Sequence, residues 1–207
     1  MTLLLNVPAA DKEQALQAGA VFLEDTGKWL LPDQAYGRLH EVQQWLAPEG
    51  YIVLSDKVLI AESRAVCTHC GHTNTVIAIG SDYFYERDIN ERDEEVWVEQ
   101  SFFALFHCLT YISDNLRELL GDTYPHYRPA PPEDGKVYWY NHCARCQRPL
   151  DDHRLMDIPG NTFHPGTAEE AAAITLRTIQ SKYAPLLDAD YEIARHLQLI
   201  GEFAQRT

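Results

Sequence analysis

The chain has 207 residues, enough for one large or two small domains, and its hydrophobic content of 45% is typical of a globular protein. Its 31 acidic and 17 basic residues give a net charge of −14, which argues against general DNA or RNA binding, because that relies on Lys and Arg meeting phosphates. The sequence shows neither a signal-peptide pattern nor an apolar stretch of roughly 18 residues, so we expect a soluble, cytoplasmic protein with no membrane segment.

Residues 1–50 predict a small α+β domain whose elements run in the order β-α-β-β-α. Three short apolar runs predict its strands, at residues 3–7, 21–23 and 29–31. Asp11 and Asp33 can each cap a helix, because a carboxylate accepts hydrogen bonds from the first backbone N–H groups. In the second helix the apolar residues recur at helical spacing, at Leu39, Val42, Trp45 and Leu46.

A motif runs through the same residues, carried by Leu5-Asn6-Val7-Pro8, Lys12, Ala15, Gly19-Ala20, Lys28-Trp29 and Pro32. In this motif the chain resembles the small domain of plasmid-borne, TraC-like primase proteins, which also occurs in many uncharacterised bacterial proteins. The resemblance implies the fold of that domain and a bacterial setting. The family usually has Arg-Trp where this chain has Val21-Phe22, and the loss of the arginine weakens any implied role in nucleic-acid binding.

Four cysteines form two Cys-x-x-Cys pairs, Cys67/Cys70 and Cys143/Cys146. Each pair can supply two thiolates from one tight turn, and two such pairs complete the tetrahedral shell of a structural Zn²⁺. The pairs are separated by the 72 residues 71–142, whereas an ordinary zinc ribbon has roughly 15–20 residues between them. The sequence therefore predicts one structural Zn²⁺ per chain, held by a ribbon that a folded insert divides.

A disulfide framework or a redox-active pair is the alternative for these cysteines. Neither is favoured, because nothing directs the chain to an oxidising compartment and neither pair precedes a clear helical pattern. Nearby histidines could replace a cysteine ligand, but we expect them to lie around the site rather than in it: His69, His72, His142, His153 and His164. The fifth cysteine, Cys108, lies in an apolar run and is expected to be a buried free thiol.

Residues 51–166 are predicted to form the zinc region, with strands leading into each Cys pair. Apolar residues between positions 97 and 120 recur at helical spacing, so we expect a mostly helical insert at 72–142. Two further short motifs accompany the Cys pairs in this region, Asn141-His142-Cys143 and Phe163-His164-Pro165. In this order of motifs the chain resembles uncharacterised bacterial proteins in which the TraC-like, primase-associated domain precedes a split Cys₄ zinc ribbon. That resemblance implies no biochemical role.

Residues 167–207 predict a C-terminal helical hairpin. Thr167 and Glu170 have the spacing of a capping box, which would open a helix that runs to about residue 183. Pro185 interrupts the pattern, and Asp190 can begin a second helix that continues through Phe203.

The acidic residues are concentrated in residues 81–100, which contain eight acids and two arginines, a local charge of −6. A solvated surface explains such a segment without any further role. The alternative is a surface for a basic protein partner, because opposite charges speed the encounter of two proteins. The candidate partner-binding residues are Asp88, Glu91, Asp93, Glu94 and Glu95.

No known catalytic motif is recognisable in the sequence, and four cysteines would leave no open position on a zinc ion. We therefore predict a non-enzymatic, zinc-stabilised protein-binding module, in concrete form an immunity- or antidote-type inhibitor that covers a basic bacterial toxin. The alternative is an accessory factor in plasmid or phage DNA metabolism that acts near single-stranded DNA. An enzyme with an unrecognised site is a third hypothesis.

Overall fold

The structure is a computed structural model that describes residues 2–131 and 135–207. Its first elements are β1 (Thr2–Leu5), α1 (Lys12–Gln17), β2 (Val21–Leu23), β3 (Lys28–Pro32) and α2 (Leu39–Val42). The three strands form an antiparallel sheet in the order β1-β3-β2. Short 3-10 segments flank the helices, at Ala9–Asp11, Asp33–Arg38 and Gln43–Trp45. The elements thus run in the predicted order β-α-β-β-α.

A single core holds these first elements together and joins them to the rest of the chain. Leu3, Leu31 and Leu39 are fully buried in it, and the Trp45 indole N–H donates to the Asp11 carboxylate at 3.0 Å. The same core includes Leu186, which lies near the other end of the sequence.

The elements that follow are β4 (Ile52–Leu54), β5 (Lys57–Val66), β6 (Thr73–Ser81), β7 (Phe84–Ile89), β8 (Glu95–Gln100), β9 (Ala104–Ile112), α3 (Asp114–Thr123), β10 (Tyr127–Pro129), β11 (Trp139–Asn141), α4 (Asp152–Met156), α5 (Ala168–Ala171), β12 (Thr175–Gln180), β13 (Leu186–Asp190), α6 (Arg195–Phe203) and β14 (Gln205–Arg206). Among the helices of the described residues, none is long and apolar enough to cross a membrane.

Nine of these strands form one sheet in the order β14-β12-β5-β6-β9-β13-β4-β7-β8. Neighbouring strands are antiparallel except β12 and β14, which are parallel. Strand β13 enters between β9 and β4, so the last quarter of the chain completes the centre of the sheet. Strands β10 and β11 form a separate antiparallel pair. The predicted α+β class is confirmed.

Strand β9 lies between β6 and β13 and contains a bulge in its pairing with β13. Its first residues, from Ala104 to Phe106, pair with β6, and the residues from His107 onward pair with β13. Cys108 lies in the bulge, between the paired residues His107 and Tyr111, and has φ +51°, a left-handed conformation that non-glycine residues seldom adopt.

The structure corrects two predictions of helix. The insert at 72–142 contains more strand than helix, because the strands from β6 to β11 lie in it and α3 is the helix among its described residues. The predicted C-terminal helical hairpin is also wrong. The helix that the Thr167 cap opens ends at Ala171, β12 and β13 follow, and only α6 remains of the second helix. The β-branched residues Thr175, Thr178 and Ile179 favour the strand, which pairs with β5 along its whole length.

Candidate metal centre

Cys67 and Cys70 lie in the turn that joins β5 to β6. The Cys67 N–H donates to the His72 carbonyl at 2.8 Å, and the Gly71 N–H donates to the Cys67 carbonyl at 2.9 Å. Gly71 has φ +70°, a conformation that glycine adopts without steric cost. The two hydrogen bonds fold the segment into a tight knuckle from which both thiols point to one side.

Cys143 and Cys146 lie in a second knuckle with the same backbone pattern. The Cys143 N–H donates to the Arg148 carbonyl at 2.9 Å, and the Gln147 N–H donates to the Cys143 carbonyl at 2.9 Å. Gln147 occupies the position that corresponds to Gly71 and also has positive φ, +62°. The Gln147 side chain offsets part of the strain of this backbone conformation, because its Nε2 donates to the Ala144 carbonyl at 2.9 Å.

The two knuckles bring all four thiols to one point, with the Sγ atoms within 4.8 Å of one another. The Sγ atoms of Cys67 and Cys146 are 3.7 Å apart, and those of Cys70 and Cys143 are 3.6 Å apart. Zn–S bonds of about 2.3 Å in a tetrahedron place sulfurs about 3.8 Å apart, so the thiol spacing fits this ion. The four cysteines are positioned to hold a metal ion.

The side chain of Asn74 links one knuckle to the other. It is buried, its Nδ2 donates to the His72 carbonyl at 3.0 Å, and its Oδ1 accepts the Ala144 N–H at 2.8 Å. A second link lies at the surface, where the Arg148 guanidinium donates to His69 Nδ1 at 3.0 Å. The relative position of the two pairs is therefore fixed by hydrogen bonds as well as by the thiols.

Asn141 attaches the second knuckle to the central sheet. Its side chain is 1% exposed, its Oδ1 accepts the Ile77 N–H at 2.8 Å, and its Nδ2 donates to the Ile77 carbonyl at 2.9 Å. The amide thus takes the place of a paired strand beside β6. The sequence offered Asn141 only as part of a motif, and no local pattern signals the roles of Asn74 or Arg148.

The thiols lie against an apolar core, and burial shapes their protonation. Cys67 and Cys143 are almost fully buried beside Leu150 and Phe163. Burial opposes ionisation of Cys143, but backbone N–H groups and the neighbouring thiols outweigh it, and the pKa of Cys143 is lowered to about 6. Hydrogen bonds of this kind favour the thiolate, which is the form that binds metal.

Disulfides do not join these cysteines. All five cysteines are free, and the closest Sγ pairs are far longer than a disulfide bond of about 2.05 Å. Two of the neighbouring histidines contact backbone carbonyls instead: His142 Nδ1 contacts the Tyr140 carbonyl at 3.0 Å, and His164 Nδ1 contacts the Met156 carbonyl at 2.9 Å. Cys108 is a free thiol as predicted, but it is only partly buried, because the bulge in β9 turns it outward.

Comparison of the chain with protein-family models, curated proteins and solved structures finds no match. The resemblance of the first 50 residues to the TraC-like domain therefore stays a prediction.

The five candidate partner-binding acids lie together at the tip of the hairpin formed by β7 and β8. All five are exposed: Asp88, Glu91, Asp93, Glu94 and Glu95. Among the described residues, no ion pair joins any of them to Lys or Arg. Strand β8 is the edge of the nine-stranded sheet, so the hairpin stands at the side of the molecule. We call these five residues the acidic tip.

Proposed function

We propose that the four-thiol centre holds one structural Zn²⁺ and that the protein uses its acidic tip to bind a basic protein. The zinc hypothesis is supported by the sulfur spacing and by the matching hydrogen-bond pattern of the two knuckles. Four sulfurs would fill the shell of the ion and leave no position for water, so we assign this centre a stabilising role rather than a catalytic one.

Metal analysis tests the zinc hypothesis. Protein purified without a strong chelator should retain about one tightly bound Zn²⁺ per chain, and Cys143→Ser should lose it and unfold at a lower temperature. Cys108→Ser is the matched control, because Cys108 is not part of the four-thiol centre, and it should retain the tight ion. Wild-type protein that is free of zinc, or Cys143→Ser protein that keeps it, would contradict the hypothesis.

The protein-binding hypothesis rests on one observation, the unpaired charge of the acidic tip. Elsewhere in the segment the charge of Asp82 is neutralised by an ion pair with Arg206, whereas within the described residues the tip acids accept hydrogen bonds only from neutral groups, such as those from Asn90 to Glu94 and from Gln43 to Glu95. Of the two arginines in the segment, Arg87 lies with its guanidinium 3.8 Å from the centre of the Tyr51 ring. Arg92 is exposed within the tip, where the five acids outnumber it. The tip therefore projects negative charge into solvent, where it would attract a positively charged surface.

In its concrete form, the hypothesis is an immunity- or antidote-type inhibitor of a basic toxin. A rigid support makes the tip suitable for such a role. Below the tip, Trp97 donates to Gln43 Oε1 at 3.2 Å and Gln43 donates to Glu95 at 3.1 Å, which ties the hairpin to the N-terminal elements. A hairpin that is ordered before binding loses less conformational entropy when it meets its partner.

A charge-matched pair of variants tests this hypothesis. The tip variant replaces the five acids of the acidic tip with their amides. The control variant neutralises five exposed acids elsewhere and has the same net charge: Glu13, Asp25, Glu49, Glu118 and Asp122. Each protein is used to capture partners from the native host at physiological salt, and captured proteins are then titrated individually.

We expect a basic protein that binds wild-type and control chains and binds the tip variant at least about tenfold more weakly, with a smaller salt dependence. Recovery of no partner, or equal binding by the tip variant, would count against the acidic tip. In a second experiment, binding of the wild-type chain to a labelled single-stranded oligonucleotide is measured at several salt concentrations. Salt-dependent binding to it would favour the accessory factor in DNA metabolism, whereas the present hypothesis predicts none.

A further inference from the structure

The bulge in β9 brings together three side chains that can bind metal, away from the four-thiol centre. His107 faces Asp190 across the β9–β13 pair, so their side chains share one face of the sheet. In a regular strand Cys108 would point to the opposite face. Its positive φ of +51° changes that direction and brings its thiol to the same side as the imidazole.

The distances within this group suit a shared cation. His107 Nδ1 and Cys108 Sγ are 3.4 Å apart, and one ligand atom from each of the three side chains lies within 4.8 Å of the others. Zinc bonds of about 2.0–2.3 Å to nitrogen and sulfur at a tetrahedral angle place those atoms about 3.6 Å apart, close to the observed separation.

The surroundings of the group are negative. The Asp152 carboxylate, at the start of α4, is buried and accepts the Cys108 N–H at 3.2 Å, which helps to hold the bulge. Asp190 and Asp152 thus place two carboxyl groups beside the Cys108 residue, and a bound cation would offset the negative charge of such groups.

We propose that His107, Cys108 and Asp190 form a second metal site, which binds a divalent ion of the zinc class. Nitrogen, thiolate sulfur and carboxylate oxygen are all zinc ligands, whereas the sulfur disfavours Mg²⁺ and Ca²⁺. Three protein ligands leave one coordination position for water or for an atom of a bound molecule. The site is partly exposed, and in this respect it differs from the closed shell of four thiols.

Zinc titration of the full chain tests the second site. Protein that already holds its tight zinc is titrated calorimetrically with Zn²⁺, and with Mg²⁺ as the counter-probe. We expect one additional and weaker Zn²⁺ per chain and no response to Mg²⁺. Cys108→Ser and Asp190→Asn should each weaken this second step by at least about tenfold, since loss of residues that only support ligands already reduces metal affinity 10–100-fold.

Asp25→Asn is the control, because it removes the same charge from an exposed position in the β2–β3 turn and should leave the second step unchanged. Circular dichroism verifies folding, and Asp190 is itself exposed, so its amide should be tolerated. Protection of the wild-type thiol gives a readout that needs no variant. Zn²⁺ should slow alkylation of Cys108 by iodoacetamide at least about tenfold, as measured by mass spectrometry of the Cys108 peptide.

Three outcomes would overturn the second site. The first is the absence of a second Zn²⁺ step in wild-type protein. The second is a step that Cys108→Ser and Asp190→Asn leave unchanged, which would indicate adventitious binding elsewhere. The third is alkylation of Cys108 at the same rate with and without Zn²⁺, which would leave the residue as an ordinary thiol.

Discussion

The side-chain amide of Asn141 hydrogen-bonds both the N–H and the carbonyl of Ile77, a residue 64 positions earlier in the chain. A side chain thereby serves as the neighbouring strand for the part of β6 that lies beyond its pairing with β9. The two hydrogen bonds hold the second knuckle against the sheet, and they also satisfy the backbone N–H and carbonyl of Ile77, which would otherwise lack partners.

We expect Asn141→Ala to reduce the free energy of unfolding by about 2–4 kcal/mol, because two buried backbone groups would lose their partner at once. Chemical denaturation at fixed zinc concentration measures the loss. Asn6→Ala is the control, since Asn6 is exposed, and its effect should be within about 0.5 kcal/mol. Equal stability of the two variants would show that the contact with Ile77 is dispensable.

Gly80 allows β6 and β9 to approach closely. A Cβ at this position would lie 2.8 Å from Leu105 Cδ2 and 2.9 Å from the Ala104 carbonyl oxygen, and a backbone atom in a sheet cannot move aside easily. Gly80→Ala should therefore lower the free energy of unfolding by about 1–3 kcal/mol in a denaturation experiment. Gly37→Ala, where nothing lies within 4 Å, should be neutral or slightly stabilising; a similar loss there would mean that space is not the cause.

The positive φ shared by the two knuckles predicts which substitutions they tolerate. Gly71→Val should destabilise the protein by about 1–3 kcal/mol, because a β-branched side chain is strained in the left-handed region, whereas Gly71→Asn should be tolerated better. Gln147→Gly should be close to neutral, since relief of backbone strain offsets the loss of its hydrogen bonds. Thermal unfolding ranks the three variants, and a Val variant as stable as Asn would refute the argument.

His196 should contribute to a loss of stability in acid. Its ring stacks on His164 with 3.7 Å between centroids, and burial, followed by the charge of His164, lowers the pKa of His196. The unfolded chain therefore binds the proton more readily than the folded protein does. The stabilising contribution is complete above the unfolded pKa of about 6.5 and is lost as the pH falls toward the lower folded value.

Between pH 7.5 and pH 5.5, wild-type protein should consequently lose more unfolding free energy than His196→Gln does. Denaturation at a series of pH values measures this difference, in which any pH effect on the thiols cancels. Gln44→Ala, which removes an exposed side chain that does not titrate, should follow the wild-type profile. Parallel profiles for wild type and His196→Gln would exclude a contribution from His196.

The metal centre was accessible to sequence reasoning because metal ligands are recognisable by residue type and spacing. The two Cys-x-x-Cys pairs identified all four thiols that the structure brings together. The residues that orient these thiols could not be predicted from the sequence, because Asn74 and Asn141 bond partners that are 70 and 64 residues away in the chain.

The two incorrect predictions of helix have a common physical origin, which is the burial and the irregular pairing of the strands in these segments. Residues 104–106 are buried on both faces of the sheet, so β9 lacks the alternation that indicates a strand. Phe106 and Leu109 are three residues apart in sequence, and the bulge at Cys108 between them allows both side chains to be buried. Buried residues at that spacing are typical of a helix. Local spacing could not reveal that β12 and β13 pair with strands more than 70 residues away.

The separation of the two knuckles has a consequence for biosynthesis. The sulfurs that meet belong to residues 73 and 79 positions apart, so at about 5–20 residues per second roughly 4–16 s pass between the making of one half of the clamp and the other. During that interval Cys67 and Cys70 have only each other. A chain interrupted before Cys146 cannot complete the four-sulfur centre, so four-sulfur metal binding would distinguish chains that extend past Cys146 from shorter ones.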